Sequence, residues 1–308
     1  MNMSEHDRKF EMQEVKDYYL YSTAAYLLVV ALLNIIIVMT FASSKFIQKL
    51  FIHQIMSLLS IIYFCTTLLN YYVEWMEKIT HDSLSLPDEF YCRLFHGKFY
   101  YKVSTNVSIF LILCLCIDRY LAMLHPKFYQ KIRNYSCIKA LLLMLAFILG
   151  ILLSLDSMLY TLEDNMTCSS SLKHDASLSR ILPYRYAVFT FTSFLILFVL
   201  YFTLLMKISK ISTNKLYYKR NRKQFLLSLY ITGSFVLCTY PHYIIVALSD
   251  VNEVYNSEAL QTINASSFDI TAKLSILAPI ITPLTYTVFS DQFQNAFICL
   301  IKHPIKIA

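Results

Sequence analysis

Seven apolar runs divide the chain, each long enough to cross a bilayer and separated from the next by a short polar segment. About 20 apolar helical residues span the roughly 30 Å hydrocarbon core of a membrane. The runs occupy residues 21–42, 50–73, 97–120, 137–160, 184–206, 225–248 and 270–289. A final segment, residues 290–301, is shorter and amphipathic, which predicts a helix lying on the membrane surface.

This pattern predicts an all-α membrane protein, a seven-transmembrane helix bundle with a short amphipathic eighth helix. Residues 1–20 form a polar N-terminal segment, residues 21–289 form the bundle, and residues 290–308 form the amphipathic helix and a short tail. The apolar residues on one side of that last helix are Phe293, Phe297, Ile298 and Ile301.

Composition agrees with a membrane location. Of the 308 residues, 57% are hydrophobic and 15% are charged, whereas a soluble domain carries about a quarter charged residues. Three glycines and seven prolines leave few turns, which favours long helices over a β-barrel. The sequence contains no metal-binding, nucleophile or phosphate-binding constellation, so we expect neither an enzyme nor a cofactor.

Charge alternates between the segments that join the runs. Residues 207–223, between runs five and six, carry only basic charges, whereas residues 249–269, after run six, carry only acidic ones. Basic segments stay in the cytoplasm, so the pattern predicts a multi-pass protein of the plasma membrane with an extracellular N-terminus. It also explains the net charge of +7 without nucleic acid, because the basic segments would face anionic membrane lipids.

An acid and a base lie side by side where run three ends. Asp118-Arg119-Tyr120 occupies this boundary, and Pro126 follows seven residues after the arginine. An ionisable pair costs several kcal/mol inside hydrocarbon, so it lies at the water boundary or has a function there. An interfacial anchor would explain an isolated Asp-Arg equally well. The longer pattern resembles the third-helix signature of the rhodopsin-like (class A) G-protein-coupled receptors.

Other runs resemble the same family, in the same order along the chain. The matching residues are Asn34 in run one, Tyr201 in run five, Phe235, Cys238 and Pro241 in run six, and Pro283 and Tyr286 in run seven. Each alone is equally a kink proline or a packing residue of another seven-helix protein. Together, in the right order and on the right membrane side, they indicate the class over essentially the whole chain.

The chain also departs from the family pattern. Run two has no acid, and aligning its motif with that of the family leaves Ile62 at the position of the family's aspartate. Thr282 replaces the usual asparagine of run seven, and Thr239 replaces the usual tryptophan of run six. These departures indicate a divergent branch, and we do not expect the family's sodium site.

The resemblance implies a receptor that binds an extracellular ligand and activates heterotrimeric G proteins through a cytoplasmic cleft around Arg119. The coupling and switch residues that it implies are Asp118, Arg119, Tyr120, Pro126, Tyr201, Pro241, Pro283 and Tyr286. In many relatives an acid of the sixth helix pairs with the arginine. Counting back from Pro241 places that acid at Asn221, so we expect raised basal activity.

Two other classes of function remain open. A receptor-like ligand scavenger or scaffold, with weak or no G-protein coupling, would fit the missing switch residues. A transporter or membrane enzyme would need internal repeats, broken helices or buried carboxylates, and the sequence offers none of these.

The sequence defines the ligand less well than it defines the residues of G-protein coupling. Candidate pocket residues are Tyr101, Lys102, Tyr240, Asp269 and Lys273. Tyr101 stands where amine receptors carry aspartate, which disfavours a biogenic amine and leaves a peptide or another small molecule. Residues 17–21 are acidic and tyrosine-rich, similar to peptide and chemokine receptors, although an aromatic belt at the interface explains them too. Asp269 and Lys273 are also spaced to neutralise each other on one helix.

The predicted outer side carries signs of secretory processing. Cys92 and Cys168 are the cysteines that fall in outside segments, and the receptor family forms a disulfide at this pairing. Acceptor sequons for glycosylation begin at Asn165, Asn264 and Asn2 on the same side.

Overall fold

Long helices make up most of the fold. A computed structural model describes residues 25–43, 51–82, 94, 99–133, 135–155, 160–162, 168–170, 178–210, 216–255, 267, 270–271, 274–275 and 277–302. The helices in these ranges are α1 (Ala25–Ser43), α2 (Phe51–Asp82), α3 (Phe99–Leu124), α4 (Pro126–Arg133), α5 (Ser136–Ser154), α6 (Leu178–Lys210), α7 (Leu216–Tyr255), α8 (Ala278–Phe289) and α9 (Asp291–Lys302).

The helices match the predicted membrane runs. Within the described ranges, six helices contain a stretch long and apolar enough to cross a membrane: α1, α2, α3, α5, α6 and α7. The seventh run contains the shorter apolar helix α8, and residues 270–271 and 274–275 before it are also helical. The prediction of a seven-transmembrane bundle followed by a short helix is confirmed.

Element ends differ from the predicted ones. Run four was predicted to continue to residue 160, but α5 ends at Ser154, and Tyr160–Leu162 forms strand β1. This strand pairs antiparallel with β2 (Cys168–Ser170), with Leu162 opposite Cys168. Apolar residues such as Met158 and Leu159 continue past the end of α5, so hydropathy alone does not mark that end, and Tyr and Thr suit a strand. Other helices, α2 and α7 among them, extend beyond the apolar runs because their polar flanks continue the backbone hydrogen bonding.

Helix α3 lies in the centre of the bundle and contacts α2, α4, α5, α6 and α7. Its central side chains, such as Leu111, Ile112 and Leu115, are fully buried. The large apolar side chains of α5 and α6 point outward instead, for example Leu141 and Val199. Such outward faces fit hydrocarbon better than water.

The contact between α3 and α5 depends on a glycine. A Cβ atom added to Gly150 would overlap the Val107 side chain and lie 3.0 Å from its backbone nitrogen. Next to this contact, Asn106 Nδ2 donates to Ser154 Oγ at 3.0 Å, and Ser154 Oγ donates to the Gly150 carbonyl at 2.8 Å. Close backbone approach and a buried polar link are the usual means of joining helices in a membrane.

Helices α8 and α9 meet at Ser290 without a loop. Ser290 has an extended backbone, and its Oγ accepts a hydrogen bond from Phe293 N at 3.3 Å, which caps the start of α9. Asp291 in the first turn complements the helix dipole. Gln294 Nε2 donates back to the Val288 carbonyl at 2.6 Å, so the last turn of α8 is capped by a side chain of α9.

Candidate functional site at the Arg119 end of the bundle

Arg119 is buried where α3 approaches the beginning of α7, and this side of the bundle is called the Arg119 end below. Its side chain is 8% exposed, and Nη2 lies 2.7 Å from Asp118 Oδ2. Nη1 donates to Gln224 Oε1 of α7 at 3.3 Å. A buried guanidinium needs such partners because an unpaired charge is costly away from water. The arginine therefore links α3 to α7.

Helix α4 supports the acid of this pair. Tyr129 donates a long hydrogen bond of 3.5 Å to Asp118 Oδ2. The rings of Tyr120, Tyr129 and Tyr201 pack against one small apolar cluster. The buried members of this cluster are Ala122, Met123, Leu204, Phe225 and Leu229. Pro126 begins α4, where its missing N–H costs nothing.

Tyr201 and Tyr286, two of the switch residues that the resemblance implies, have other neighbours than Arg119 in this structure. A Cβ atom on Gly233 of α7 would lie 3.3 Å from the Tyr201 hydroxyl, so the glycine makes room for the tyrosine. The Tyr286 hydroxyl forms a short hydrogen bond with His53 Nδ1. Among the described residues, Arg119 bonds to Asp118 and Gln224 and to neither tyrosine.

His53 joins three helices at one point. Besides Tyr286 of α8, it contacts Gln292 of α9, with Nε2 2.7 Å from Oε1. The Tyr286 ring also packs edge-on against Phe293, with centroids 5.1 Å apart. His53 is 2% exposed, so α2, α8 and α9 form one connected unit here.

A second contact holds the beginning of α7. Lys223 Nζ lies 2.7 Å from Asp291 Oδ2 at the start of α9, and both side chains are mostly exposed. Gln224, the next residue, bonds to Arg119, so two neighbouring residues tie α7 to two different helices. A cavity of about 100 Å³ lies beside these contacts. Its lining residues are Ile52, His53, Lys223, Gln224, Leu227, Phe289, Ser290, Asp291 and Gln292.

Two prolines interrupt the helices that carry these contacts. Pro241 lies inside α7 and Pro283 inside α8. A proline cannot donate to the carbonyl four residues earlier, so Pro283 leaves the Pro279 carbonyl without its helical partner. Asn34 Nδ2 of α1 donates to that carbonyl at 3.3 Å and to the Val30 carbonyl at 2.8 Å. The asparagine thereby supplies a partner for this carbonyl and links α1 to the start of α8.

At the opposite end, the structure describes part of the predicted ligand pocket. Tyr101 and Lys102 are half-buried on α3, and Tyr101 faces Ser275. Tyr240 is buried among aromatic rings, and its hydroxyl donates to Ser193 Oγ of α6 at 3.1 Å. Outside the described residues lie Asp269, Lys273, Cys92, Asn165, Asn264 and Asn2, together with the side chain of Cys168.

Comparison with known proteins decides the class. A profile of the 7 transmembrane receptor (rhodopsin family) matches residues 10–286. The chain belongs to this family. Mouse G-protein coupled receptor 15 is 23% identical over 237 residues, which cover 73% of this chain and 64% of that receptor. This rhodopsin-family chain is therefore a G-protein-coupled receptor and a multi-pass membrane protein, and it is not an enzyme.

Several residues of this receptor's Arg119 end are not visible to motif matching. Counting from Pro241 pointed to Asn221, whereas the contact to Arg119 comes from Gln224, about one turn later in α7. A histidine inside a run that crosses hydrocarbon could have been singled out as costly, and His53 is such a residue. The Lys223–Asp291 pair joins residues 68 positions apart, and no spacing in the sequence indicates it.

Proposed function

We propose that this receptor binds an extracellular ligand at the end opposite Arg119 and activates heterotrimeric G proteins at the Arg119 end, in the cytoplasm. The alternation of loop charges supports this orientation, with an extracellular N-terminus and a location in the plasma membrane. The name of the mouse relative supports G-protein coupling. The observation that carries the proposal is the buried Arg119, whose partner on α7 is a neutral amide.

The contacts of Gln224 and Lys223 suggest how activation proceeds. Movement of the first half of α7 about Pro241 would break the Arg119–Gln224 hydrogen bond and the Lys223–Asp291 pair together. The freed arginine and the enlarged cavity would then form the surface offered to the G protein. A ligand that prefers this open packing shifts the population towards it, and its differential affinity sets the size of the shift.

Tyr240 is suited to connect the ligand to this movement. It precedes Pro241 and bonds to Ser193, so it couples α7 to α6 next to the proline. Tyr101 and Lys102 on the same side would contact a peptide or small molecule that carries acceptor groups. Asp269 and Lys273 complete the proposed pocket.

A nucleotide-exchange assay tests the proposal. Membranes that contain the receptor are combined with a panel of purified heterotrimeric G proteins, and binding of a non-hydrolysable GTP analogue is measured. We expect exchange above that of empty membranes for at least one G protein, and loss of it in Arg119→Ala. Lys127→Ala, at an exposed cation of α4, is the matched control and should retain exchange.

One outcome of this assay contradicts G-protein activation. Normal surface delivery without exchange on any G protein would overturn the proposal. Ligand uptake without exchange would then identify a receptor-like scavenger or scaffold.

A further inference from the structure

Two aromatic rings meet on the outer surface of the bundle, where α7 lies beside the end of α8. The rings of Tyr230 and Phe289 are stacked, with centroids 5.0 Å apart and planes inclined by 22°. Each side chain is about half exposed. Leu237, seven residues after Tyr230 and therefore on the same face of α7, is 71% exposed. The stack thus lies on an apolar surface that suits hydrocarbon.

The stack lies in the half of α7 that precedes Pro241. Tyr230 is two turns after Lys223, and Phe289 is two residues before Asp291. The ion pair and the stack therefore join the same two segments at points about 10 Å apart along α7. Movement of this half of α7 away from α8 must separate both contacts.

Hydrocarbon changes what such a stack contributes. Lipid chains surround an exposed ring about as favourably as protein does, so burial of ring surface adds little here. The attraction between the two rings remains, and it corresponds to about a two- to tenfold change in a two-state ratio. A contact of this size can hold a resting packing and still open. A membrane-interface anchor would explain Tyr230 alone, but it would not require a ring partner on another helix.

We propose that the Tyr230–Phe289 stack is a clamp on the membrane-facing side of the bundle, which holds the first half of α7 against α8. Both are positioning residues, because the bonds of Arg119 go to Asp118 and Gln224 and the stack acts through the place of α7. The effect of the clamp on nucleotide exchange rests on the proposed function. Its effect on the position of α7 does not.

Thiol labelling tests the clamp without a G protein. Met123 of α3 is 2% exposed and packs in one cluster with Phe225 and Leu229 of α7, so a thiol introduced there is reached when α7 moves away. In a receptor that carries Met123→Cys, Tyr230→Ala should raise the labelling rate by a water-soluble maleimide about two- to tenfold. The rate follows the open population when opening is fast. Mass spectrometry reads each site, and the exposed native Cys299 calibrates the dose of reagent.

Matched variants separate the stack from other effects of losing a ring. Tyr230→Phe keeps the stacked ring and should label at the unaltered rate. Phe202→Ala removes a similarly exposed ring, which stacks on Phe198 of the same helix, and should also leave the rate unchanged. Phe289→Ala removes the clamp from the other side and takes the place of Tyr230→Ala if that variant does not reach the surface. The two together should label no faster than one alone, because either removes the whole contact.

Nucleotide exchange gives the second measurement. Tyr230→Ala should raise ligand-free exchange by a similar factor, and the gain should persist at about 1 M salt because no charge is involved. Unchanged labelling of the thiol introduced by Met123→Cys overturns the clamp, and so does an equal increase in Phe202→Ala. Faster labelling without exchange on any G protein supports the clamp and overturns the proposed function instead.

Discussion

Breaking the Lys223–Asp291 pair should raise the basal activity of this receptor. The pair ties the beginning of α7 to α9, next to the Gln224 contact with Arg119. Any outward movement of α7 must separate the two charges. Lys223→Ala removes the attraction, and Asp291→Lys replaces it with repulsion.

The geometry sets the size of the effect. The two charged atoms are 2.7 Å apart, but the side chains are 73% and 58% exposed, so water and salt screen the attraction. Exposed pairs are worth roughly 0.2–1 kcal/mol, and 1 kcal/mol changes a two-state ratio about fivefold. We therefore expect Lys223→Ala to raise ligand-free nucleotide exchange by about fivefold at most, and Asp291→Lys to raise it further.

A double-mutant cycle separates the pair from side effects of each substitution. Asp291 also complements the dipole of α9, so its removal has a second consequence that Lys223→Ala lacks. The charge-swapped receptor, with Lys223→Asp and Asp291→Lys together, should return exchange towards the starting level. The gain from Lys223→Ala should also shrink as salt rises, because the Debye length falls from about 8 Å at physiological ionic strength to about 3 Å at 1 M.

One result would refute this reasoning. If the charge-swapped receptor exchanges nucleotide as fast as Asp291→Lys alone, the two residues do not act as a pair. Surface expression of every variant is measured alongside, so that rates are compared per receptor.

Three further predictions test other contacts. Gln224→Glu should lower basal exchange several-fold in the same assay, because a charge-assisted bond to the arginine is stronger than an amide bond, and an unchanged rate would contradict this role. Gly150→Ala should lower the unfolding temperature by more than Gly233→Ala, since crowding costs about 1–3 kcal/mol, and equal decreases would argue against the close contact. Loss of Cys92 or Cys168 should prevent surface delivery, and free thiols at both positions in the surface form would disprove a disulfide.

The membrane runs were predictable from sequence because hydrocarbon imposes a length and a composition. Helices α1 and α6 follow this rule, and their outward faces are apolar as it requires. Where a helix leaves the membrane the rule no longer applies. The predicted end of run four at residue 160 was wrong for this reason, because the helix ends at Ser154 and Tyr160 already belongs to β1.

The interior contacts were less predictable because they depend on which face of a helix turns inward. Run two contains no charged landmark, and motif alignment drew attention to Ile62, which is only half-buried. The adjacent Tyr63 is buried in the core, where its hydroxyl faces Thr282 of α8 and Ser108 of α3. A shift of one residue rotates a helix by about 100°, so a small alignment error selects a different face.

The loop-free junction at Ser290 has a mechanical consequence. Helix α9 is 12 residues long, about 18 Å, and its first turn is fixed to α8 through Ser290 and Gln294. A tilt of roughly 10° at the junction would displace the far end by about 3 Å. Forces that the membrane surface exerts on the far end of α9 are therefore transmitted to α8 through this junction. Lipids that hold α9 more firmly should therefore stiffen α8 against rearrangement, without touching any residue of the bundle interior.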